Sequence, residues 1–397
     1  MRPSAPCPTI LQVLPALGTG GIERGAVEIA QAVIAAGGRA IVASAGGPGV
    51  ETLRRMGALH VTLGLNRKSP LSIWRNRNAL ARLIEREGVD LVHARSRAPA
   101  WAAIGACRRR DVPLVTTWHG VHHENFPGKK RYNAVLAKGA RVIAISAYIA
   151  GRLTRDYDVG RDRLRLIPRG ADVTRFDPAQ VSGQRVQALA EAWNLPEDAR
   201  IIMLPGRLTP WKGQMLMVEA LLRLERLVRE NWICVLVGPV DPKDKFVRAL
   251  HKRIRSLGLS DRLRFAGMCK DMPAAYALAD VVVTPSLRPE PFGRVAVEAQ
   301  AMGRPVIASS QGGATETVLP GETGLLVPPG DAEALAQALA DVIAAPPDAL
   351  AWLAERARAH VLAHFTTRRM QHETLAVYDE VLGTSLAARF PLPKEAL

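Results

Sequence analysis

The chain has 397 residues and a formal net charge of +16, with 48% hydrophobic and 23% charged residues. This composition excludes a disordered chain, a collagen and a coiled coil, and the length suggests two domains. The four cysteines stand far apart without paired spacing, which argues against a disulfide framework or a zinc knuckle. No apolar run approaches about 18 residues, and the first ten residues lack the apolar stretch of a signal peptide. We therefore expect a cytoplasmic protein without a membrane span.

Short apolar segments alternate with helix-length amphipathic segments through the first half of the chain. The predicted strands are Thr9–Leu14, Arg39–Ser44, Leu91–Ala94, Leu114–Thr117, Val142–Ile145 and Leu164–Ile167. The predicted helices between them include Glu23–Ala36, Ile73–Arg86 and Ala98–Arg108. Apolar strands that alternate with helices are typical of a parallel sheet covered by helices on both faces.

The same pattern restarts in the second half. The predicted strands there are Ile201–Leu204, Ile233–Val237, Leu263–Phe265, Val281–Thr284, Val306–Ala308 and Leu325–Val327. The predicted helices include Gln214–Arg229, Lys245–Leu257 and Arg294–Met302, and helices continue to Thr367–Val381. We predict two facing, doubly wound α/β domains, residues 1–180 and 181–366, because turn residues cluster near Asp177–Glu197.

The charge is shared unevenly between the two predicted domains. Residues 1–180 contain 28 Lys and Arg against 13 Asp and Glu, a net charge of +15, whereas residues 181–397 carry +1. A field of this size attracts nucleic acid, anionic lipid head groups or phosphorylated glycolipids. The alternative is an Arg-rich composition whose side chains are simply solvated.

A glycine-rich loop follows the first predicted strand, in the string GTGGIE from Gly18 to Glu23. Gly20 and Gly21 let backbone N–H groups approach an anion at the start of a helix, although a tight packing turn would need glycine too. The string lacks dinucleotide-binding spacing, and no acidic residue closes the second strand. A nicotinamide dehydrogenase is therefore disfavoured.

Two cations, Arg207 and Lys212, follow the strand Ile201–Leu204 in the string RLTPWKG. A planar guanidinium and a compact ammonium at a strand-to-helix turn are suited to a diphosphate. Fixed cations stabilise a leaving diphosphate more strongly as its charge grows. The alternative is a pair of solvated surface cations.

Two carboxylates in the string PEPFGRVAVE follow the strand Val281–Thr284. Glu290 precedes a glycine turn, and Glu298 lies about two turns into the next predicted helix. Phe292 and Gly293 expose backbone N–H groups at that helix start, again suited to phosphate. We therefore predict that both carboxylates face one ligand, although Glu298 alone would also fit a surface helix.

These strings together resemble the donor half of retaining, nucleotide-sugar glycosyltransferases of the GT-B fold, family 4. RLTPWKG, EPFGRVAVE and GGATETVLPGETGLLVPPGD carry the resemblance almost continuously from Ile201 to about Ala344. The first half resembles the family more loosely, through GTGGIE, HARSRAPAW and IPRGADVTRFDP. The resemblance implies an acceptor-binding first domain, a donor-binding second domain and a C-terminal helix, about 367–397, that packs back on the first domain.

The resemblance also implies roles for individual residues. Catalysis is assigned to Glu290, His119, Arg207 and Lys212, with His119 near the reacting carbon of the donor sugar. The implied donor-binding residues are Gly20, Gly21, Arg207, Lys212, Gly267, Met268, Glu290, Phe292, Gly293 and Glu298, with Gly267 and Met268 near the base and Glu298 on the ribose. Retention is commonly explained by same-face attack with the leaving phosphate as base, and Glu290 as a covalent nucleophile remains the alternative.

Basic and histidine-rich segments of the first half supply the acceptor side. Its predicted residues are Arg95, Arg97, His122, His123 and Glu124. No cofactor and no metal are expected, because this His-rich loop lacks a second ligand cluster and the D-x-D string Asp156–Asp158 lies in a solvated turn. An inert surface loop is the alternative for the histidines.

The function expected from this resemblance is sugar transfer from a UDP- or GDP-sugar to an anionic glycolipid or saccharide of a bacterial envelope, such as a lipopolysaccharide core. Basic residues with Trp74, Trp101 and Trp118 make an anionic membrane surface a further expected partner, peripheral at the inner membrane. Nucleic acid is not expected, because no recognition helix appears. The alternatives are a soluble acceptor, a nucleotide-sugar hydrolase or epimerase, and a basic binding module without catalysis.

Overall fold

The computed structural model describes residues 7–18, 20–122 and 127–393, and the chain divides into two compact units. Unit 1 comprises residues 1–169 and 367–397, and unit 2 comprises residues 170–366. The chain thus enters unit 2 at Gly170 rather than at the predicted residue 181. The reason is that residues 171–177 bond within unit 2: the Ala171 N–H donates to the Phe365 carbonyl at 2.9 Å, and Asp177 pairs with Arg358 at 3.0 Å.

Unit 1 contains a parallel sheet of seven strands in the order β3-β2-β1-β4-β5-β6-β7. The strands are β1 (Thr9–Val13), β2 (Arg39–Ser44), β3 (Leu59–Thr62), β4 (Leu91–Ala94), β5 (Leu114–Trp118), β6 (Arg141–Ala144) and β7 (Leu164–Leu166). The edge strand β3 was not predicted. Its four residues are exposed or half-buried, so they form no apolar run.

Within the described residues, six helices connect these strands. They are α1 (Gly21–Ala35), α2 (Gly49–Arg55), α3 (Pro70–Glu87), α4 (Arg97–Arg110), α5 (Lys129–Asn133) and α6 (Ala147–Tyr157). The bounds of α3 follow from local chemistry: the Ser69 hydroxyl accepts from the Ser72 N–H, Pro70 occupies the first turn, and Gly88 ends the helix with a left-handed backbone. A 3-10 turn, Ala134–Lys138, follows α5.

Unit 2 contains a parallel sheet of six strands in the order β10-β9-β8-β11-β12-β13. The strands are β8 (Arg200–Pro205), β9 (Trp232–Val237), β10 (Leu263–Gly267), β11 (Val281–Thr284), β12 (Val306–Ser309) and β13 (Leu325–Val327). The helices are α7 (Gly183–Ala192), α8 (Gln214–Leu224), α9 (Lys245–Ser256), α10 (Met272–Leu278), α11 (Arg294–Ala301), α12 (Ala314–Thr317), α13 (Ala332–Ala344) and α14 (Pro347–His364). The strands bury apolar side chains such as Ile202, Val235 and Val282 completely, as parallel sheets do.

The last helix, α15 (Thr367–Leu382), lies in unit 1 although it follows unit 2 in the chain. It packs against α1, and the Gln371 side-chain amide donates to the Glu28 carbonyl of that helix at 2.7 Å. Leu375, Tyr378 and Phe390 join the apolar core of unit 1. Residues 367–390 therefore complete a core that residues 9–167 begin.

Of the helices in the described residues, none is both long enough and apolar enough to cross a bilayer.

Candidate functional site

The order of the strands reverses at one point in each sheet, between β1 and β4 in unit 1 and between β8 and β11 in unit 2. Open parallel sheets bind ligands beside the carboxyl ends of strands at such switch points. Gly20 and Gly21 follow β1, Arg95 follows β4, Lys212 follows β8 and Glu290 follows β11. These five residues therefore lie at the switch point of their own sheet.

Lys212 and Glu290 meet in an ion pair in unit 2. The Lys212 Nζ lies 2.5 Å from the Glu290 Oε1, and the two side chains are 18% and 13% exposed. The two residues are distant in sequence, but they follow the neighbouring strands β8 and β11. A cation and a carboxylate thus face one point at the carboxyl edge of this sheet.

The Glu290 carboxylate is held by a second group, the Ser286 hydroxyl, which donates to the same Oε1 at 2.6 Å. Ser286 itself is held by Gln311, whose side-chain amide donates to the Ser286 carbonyl at 2.7 Å. The Gly313 N–H donates to the Glu290 carbonyl at 2.8 Å. Both side-chain bonds fall on Oε1, and Oε2 has no hydrogen-bond partner among the described residues, so it is available to a ligand hydroxyl.

Lys212 ends a 3-10 turn, Pro210–Lys212, that leads into α8. Its Nζ also lies 4.5 Å from the centroid of the Trp211 ring, a cation–π contact. The Trp211 carbonyl accepts from the Leu287 N–H at 2.8 Å, so the two loops are bonded through their backbones as well. Gly213 follows with φ +82°, which lets α8 start directly behind the ammonium group.

Arg207 lies in the loop after β8, and its side chain is exposed. Its carbonyl accepts from the Gln214 side-chain amide at 3.0 Å, which fixes the backbone of the loop. The guanidinium has no ion-pair partner within the described part of the chain. Arg207 is therefore a cation open to solvent, whereas Lys212 is already paired with Glu290.

The second predicted carboxylate, Glu298, lies inside unit 2 and is only 7% exposed. The Tyr276 hydroxyl donates to its Oε2 at 3.2 Å, and the Arg294 Nε lies 3.8 Å from its Oε1. Phe292 is also buried and packs edge-on against Phe365, with ring centroids 5.6 Å apart. Gly293 precedes α11 with φ +98°, so the helix start that follows Glu290 requires glycine.

The residues predicted near a base lie at the end of β10. Gly267 has φ +66° and ends the strand, and the Met268 side chain is 64% exposed. Phe265, two residues before Gly267, stacks on His251 with 4.1 Å between ring centroids. Gly267 is the last residue of β10 and Met268 follows it. Only β9 separates β10 from β8, so these two residues lie at the carboxyl edge of the sheet, as Lys212 does.

The glycine loop of unit 1 is anchored by an arginine that the sequence did not single out. Gly20 caps α1 without a side-chain bond and Gly21 begins the helix. The Arg169 Nη2 donates to the Glu28 Oε2 at 3.2 Å and to the Gly21 carbonyl at 3.4 Å. A Cβ on Gly25 would lie 2.1 Å from the same Nη2, so this glycine makes room for the guanidinium.

Arg95, predicted on the acceptor side, lies instead in the interior of unit 1 and is 2% exposed. Its Nε donates to the Gln12 side-chain oxygen at 2.7 Å, and it also hydrogen-bonds the Tyr378 hydroxyl. His93 joins the same cluster through Nδ1, 2.6 Å from that hydroxyl, and through Nε2, 2.7 Å from the Thr117 hydroxyl. These hydrogen bonds hold the Arg95 side chain inside unit 1, and its role on the acceptor side stays a prediction.

The other predicted acceptor residues lie around α4 and the loop after β5. The Arg97 Nη1 donates to the Asn133 side-chain oxygen at 2.7 Å, and its guanidinium lies over the Tyr132 ring. His122 packs against Trp118 with ring centroids 5.1 Å apart. His123 and Glu124 fall outside the described residues.

His119 directly follows β5, and its Nε2 is buried without a hydrogen-bond partner in the described structure. Burial lowers the pKa of His119 well below the ordinary 6.5, and the nearby guanidinium groups of Arg169 and Arg95 act in the same direction. The imidazole is therefore neutral at neutral pH. A neutral Nε2 facing no protein partner is suited to a ligand hydroxyl.

Because unit 1 buries neutral histidines, we expect its free energy of unfolding to decrease as the pH falls. Burial also lowers the pKa of His93 well below the ordinary 6.5. The unfolded chain takes up these protons first, so the stabilisation is complete above about pH 6.5 and decreases as the pH falls below it. We expect His93→Gln to reduce the slope of the unfolding free energy against pH by about 1.4 kcal/mol per pH unit in that range.

Calorimetric melting between about pH 5 and pH 8 measures this slope. Gln184→Ala, a change of an exposed residue of α7 that removes no titratable group, is the control and should leave the slope unchanged. Equal slopes for wild type and His93→Gln would contradict the assignment of a neutral, buried His93.

Carboxylates elsewhere bind their own neighbours. Asp156 of the D-x-D string accepts from Arg152 and Arg155, each at 2.9 Å. Asp158 ends α6 with a left-handed backbone, φ 52°. In the part of the chain that the structure describes, no three His, Cys, Asp or Glu side chains cluster as metal ligands.

Some site residues could not be found from sequence. Ser286 and Gln311 carry no motif of their own, and only the fold brings them to Glu290. Arg169 is part of the string IPRGAD, but nothing in that string says that it reaches α1. Tyr378 lies 285 residues from its partner His93, so no local signal links the two.

Two family models match this chain. The model of glycosyl transferases group 1 matches residues 186–360, and the model of Glycosyltransferase Family 4 matches residues 19–175. The first match contains Lys212 and Glu290, and the second contains Gly20, Gly21, His93 and Arg95.

Curated relatives and solved structures agree with these models. A D-inositol 3-phosphate glycosyltransferase from Saccharomonospora viridis is 36% identical over 326 residues, 75% of this chain and 72% of the relative. The D-inositol 3-phosphate glycosyltransferase from Salinispora tropica is 34% identical over 74% of this chain. The match covers 64% of that relative, so the chain spans somewhat under two thirds of its length. A glycosyltransferase structure from Rickettsia africae has a TM-score of 0.88 at 35% identity and covers 96% of this chain and all of its own.

A second group of solved structures contains nucleotide ligands. HepE from Anabaena in complex with UDP-glucose has a TM-score of 0.80 at 25% identity and covers 94% of this chain and 99% of its own. Two parallel Rossmann-like units make up this chain, and its similarity to the solved glycosyltransferase from Rickettsia africae assigns it the GT-B fold. The chain belongs to glycosyltransferase family 4.

Proposed function

We propose that this enzyme is a retaining glycosyltransferase that moves a sugar from a UDP- or GDP-sugar to an anionic glycolipid or saccharide of the bacterial envelope. In this proposal unit 2 binds the donor and unit 1 binds the acceptor. The enzyme acts in the cytoplasm, peripheral to the inner membrane, and needs no metal because Arg207 and Lys212 neutralise the diphosphate.

The observation that carries the proposal is the Lys212–Glu290 pair, with 2.5 Å between Nζ and Oε1. A diphosphate is suited to Lys212 and to the exposed Arg207, and sugar hydroxyls are suited to the Glu290 carboxylate. In the free enzyme the two opposite charges neutralise each other. A bound donor offers each of them a better partner, the phosphate for Lys212 and a hydroxyl for Glu290.

We propose that the transfer takes place in one step on one face of the sugar. The acceptor hydroxyl oxygen forms the bond to the anomeric carbon while the bond from that carbon to the diphosphate oxygen breaks. The acceptor proton passes to an oxygen of the leaving phosphate on the same face of the sugar. Lys212 and Arg207 stabilise the growing negative charge of the diphosphate.

The acceptor is proposed from charge. Residues 1–180 carry a net charge of +15, which favours an acceptor that is itself anionic. A second candidate is a soluble phosphorylated acceptor, which the D-inositol 3-phosphate glycosyltransferases among the relatives support. Donor transfer into an organic-extractable product or onto D-inositol 3-phosphate separates the two.

A thermal-shift panel of UDP, GDP, ADP and their sugars tests the donor. A nucleotide at about 100 times its Kd should add about 2.7 kcal/mol of stability. Lys212→Ala should abolish most of the shift, whereas Lys252→Ala, an exposed lysine of α9, should leave it intact. A melting temperature that none of these nucleotides raises would overturn the proposal.

An assay without acceptor tests the reaction. We expect nucleoside diphosphate release to fall to a small fraction of its rate when the acceptor is omitted. Release at the full rate would assign the enzyme to the hydrolases instead.

A further inference from the structure

Unit 1 has one strongly basic face, formed by α3, by α4 and by the segment that contains α5 and its 3-10 turn. Residues 66–84, 97–110 and 127–138 contain thirteen Lys and Arg, five, four and four in turn, and no Asp or Glu. We call these three segments the basic face. The net charge of +15 in the first 180 residues is thus concentrated on a few neighbouring elements.

Side-chain hydrogen bonds join the three segments into one surface. The Arg109 Nη1 of α4 donates to the Asn78 side chain of α3 at 2.8 Å. The Trp101 indole N–H of α4 donates to the Tyr132 carbonyl of α5 at 3.1 Å. The two carboxylates at the far end of α3 are already paired, Glu85 with Arg110 and Glu87 with Arg39 and Arg86, so they do not offset the remaining cations.

Two large apolar side chains stand exposed on the same face. Leu71 and Trp74, at the start of α3, are 56% and 52% exposed. Arg75, Asn78 and Arg82 continue the outer stripe of the helix at helical spacing. A helix with an outward tryptophan and leucine among arginines is typical of a segment that lies at the surface of a bilayer.

We propose that the basic face docks unit 1 on an anionic phospholipid bilayer, with Leu71 and Trp74 entering the head-group region. This inference rests on the proposed function, because docking on a bilayer would bring unit 1 to the proposed lipid-linked acceptor. The lysines and arginines match the anionic head groups, and the exposed leucine matches only the acyl boundary. A nucleic acid would use the cations but would leave Leu71 in water.

Vesicle sedimentation tests the docking with the full-length enzyme. Vesicles of phosphatidylcholine with phosphatidylglycerol should bind the protein, and vesicles of phosphatidylcholine alone should bind it far more weakly. Binding should weaken as salt rises, because a raised ionic strength screens exposed charges. No sedimentation with anionic vesicles at low salt would overturn the proposal.

Two variants of the basic face have matched controls in unit 2. Arg75→Glu with Arg82→Glu and Arg108→Glu reverses three exposed cations and should weaken binding about 100-fold, since each cation near an anionic surface contributes about fivefold. The control Arg248→Glu with Lys252→Glu and Arg255→Glu makes the same charge change on exposed positions of α9. An equal loss in the control would overturn the proposal, because binding would then follow net charge alone.

The apolar contribution is tested separately. Leu71→Ser with Trp74→Ser should weaken vesicle binding about tenfold by removing apolar surface from the head-group region. The control is Trp352→Ser, a tryptophan of α14 that is 50% exposed. If Leu71→Ser with Trp74→Ser bound vesicles normally while heparin or RNA displaced the protein, the basic face would bind soluble polyanions and the lipid assignment would be wrong.

The thermal shift is measured on every variant with the nucleotide that shifts the wild type most in the panel of UDP, GDP and ADP. We expect it to stay unchanged, because no altered residue belongs to the donor site of unit 2. Loss of vesicle binding with an intact nucleotide shift concerns the basic face only. Absence of a shift with every nucleotide of the panel in the wild type concerns the proposed function only, whatever the vesicles show.

Discussion

Glu290→Gln is expected to lower kcat by about 100- to 1,000-fold while the enzyme still binds nucleotide. The amide keeps the shape of the side chain but removes the negative charge that faces Lys212 at 2.5 Å. The sugar loses a carboxylate acceptor, whereas Lys212 becomes freer to meet the diphosphate. The thermal shift with the preferred nucleoside diphosphate should therefore persist or increase as turnover falls.

Steady-state kinetics and the thermal shift together check this expectation. Glu333→Gln is a suitable control, since that side chain is 75% exposed on α13. Turnover within about threefold of the wild type would remove Glu290 from the catalytic residues. Loss of both turnover and nucleotide binding would instead indicate that the amide disrupts the loop.

Gly213→Ala is expected to lower the free energy of unfolding of unit 2 by about 3 to 5 kcal/mol. Gly213 has φ +82°, and a Cβ there would lie 1.9 Å from the Pro285 carbonyl oxygen. The clash is with backbone, so relief requires the loop after β8 and the loop after β11 to move apart. The same movement would separate Lys212 from Glu290 and abolish turnover.

Denaturant unfolding measures the first effect, and the activity assay measures the second. Gly183→Ala at the start of α7 is the control, because a Cβ there has no atom within 4 Å. That change should be neutral or stabilising by up to about 1 kcal/mol, since alanine favours a helix over glycine. Equal behaviour of the two variants would show that Gly213 carries no special requirement.

The fold was predictable because the pattern of apolar residues along the chain indicates which segments are buried. Segments such as Val281–Thr284 are continuous apolar runs, and a parallel strand buried on both faces needs such a run. The edge strand β3, with the sequence LHVT, escapes this reasoning because only part of it is buried. The unit boundary was misplaced for a related reason: the turn residues near Asp177 mark the surface of unit 2, not its beginning.

The candidate site was predictable where a charged residue comes soon after a predicted strand. Lys212 and Glu290 could be placed because their strands end at one edge of a sheet. Arg95 follows a strand too, but its direction depends on Gln12 and Tyr378, which only the folded chain brings near. Ser286 was missed because a serine after a strand is common, and its bond to Glu290 is a tertiary contact.

Residues 367–390 have a consequence for how the protein is made. Synthesis from the N-terminus delivers the whole of unit 2 before the ribosome reaches Tyr378, and Tyr378 is the partner of His93 and Arg95. Until then the seven-stranded sheet holds a buried guanidinium and an imidazole that lack this hydroxyl, and its apolar cluster lacks Leu375 and Phe390. The first unit to emerge is therefore the last to complete its core, and its apolar surface stays partly uncovered until residues 367–390 arrive.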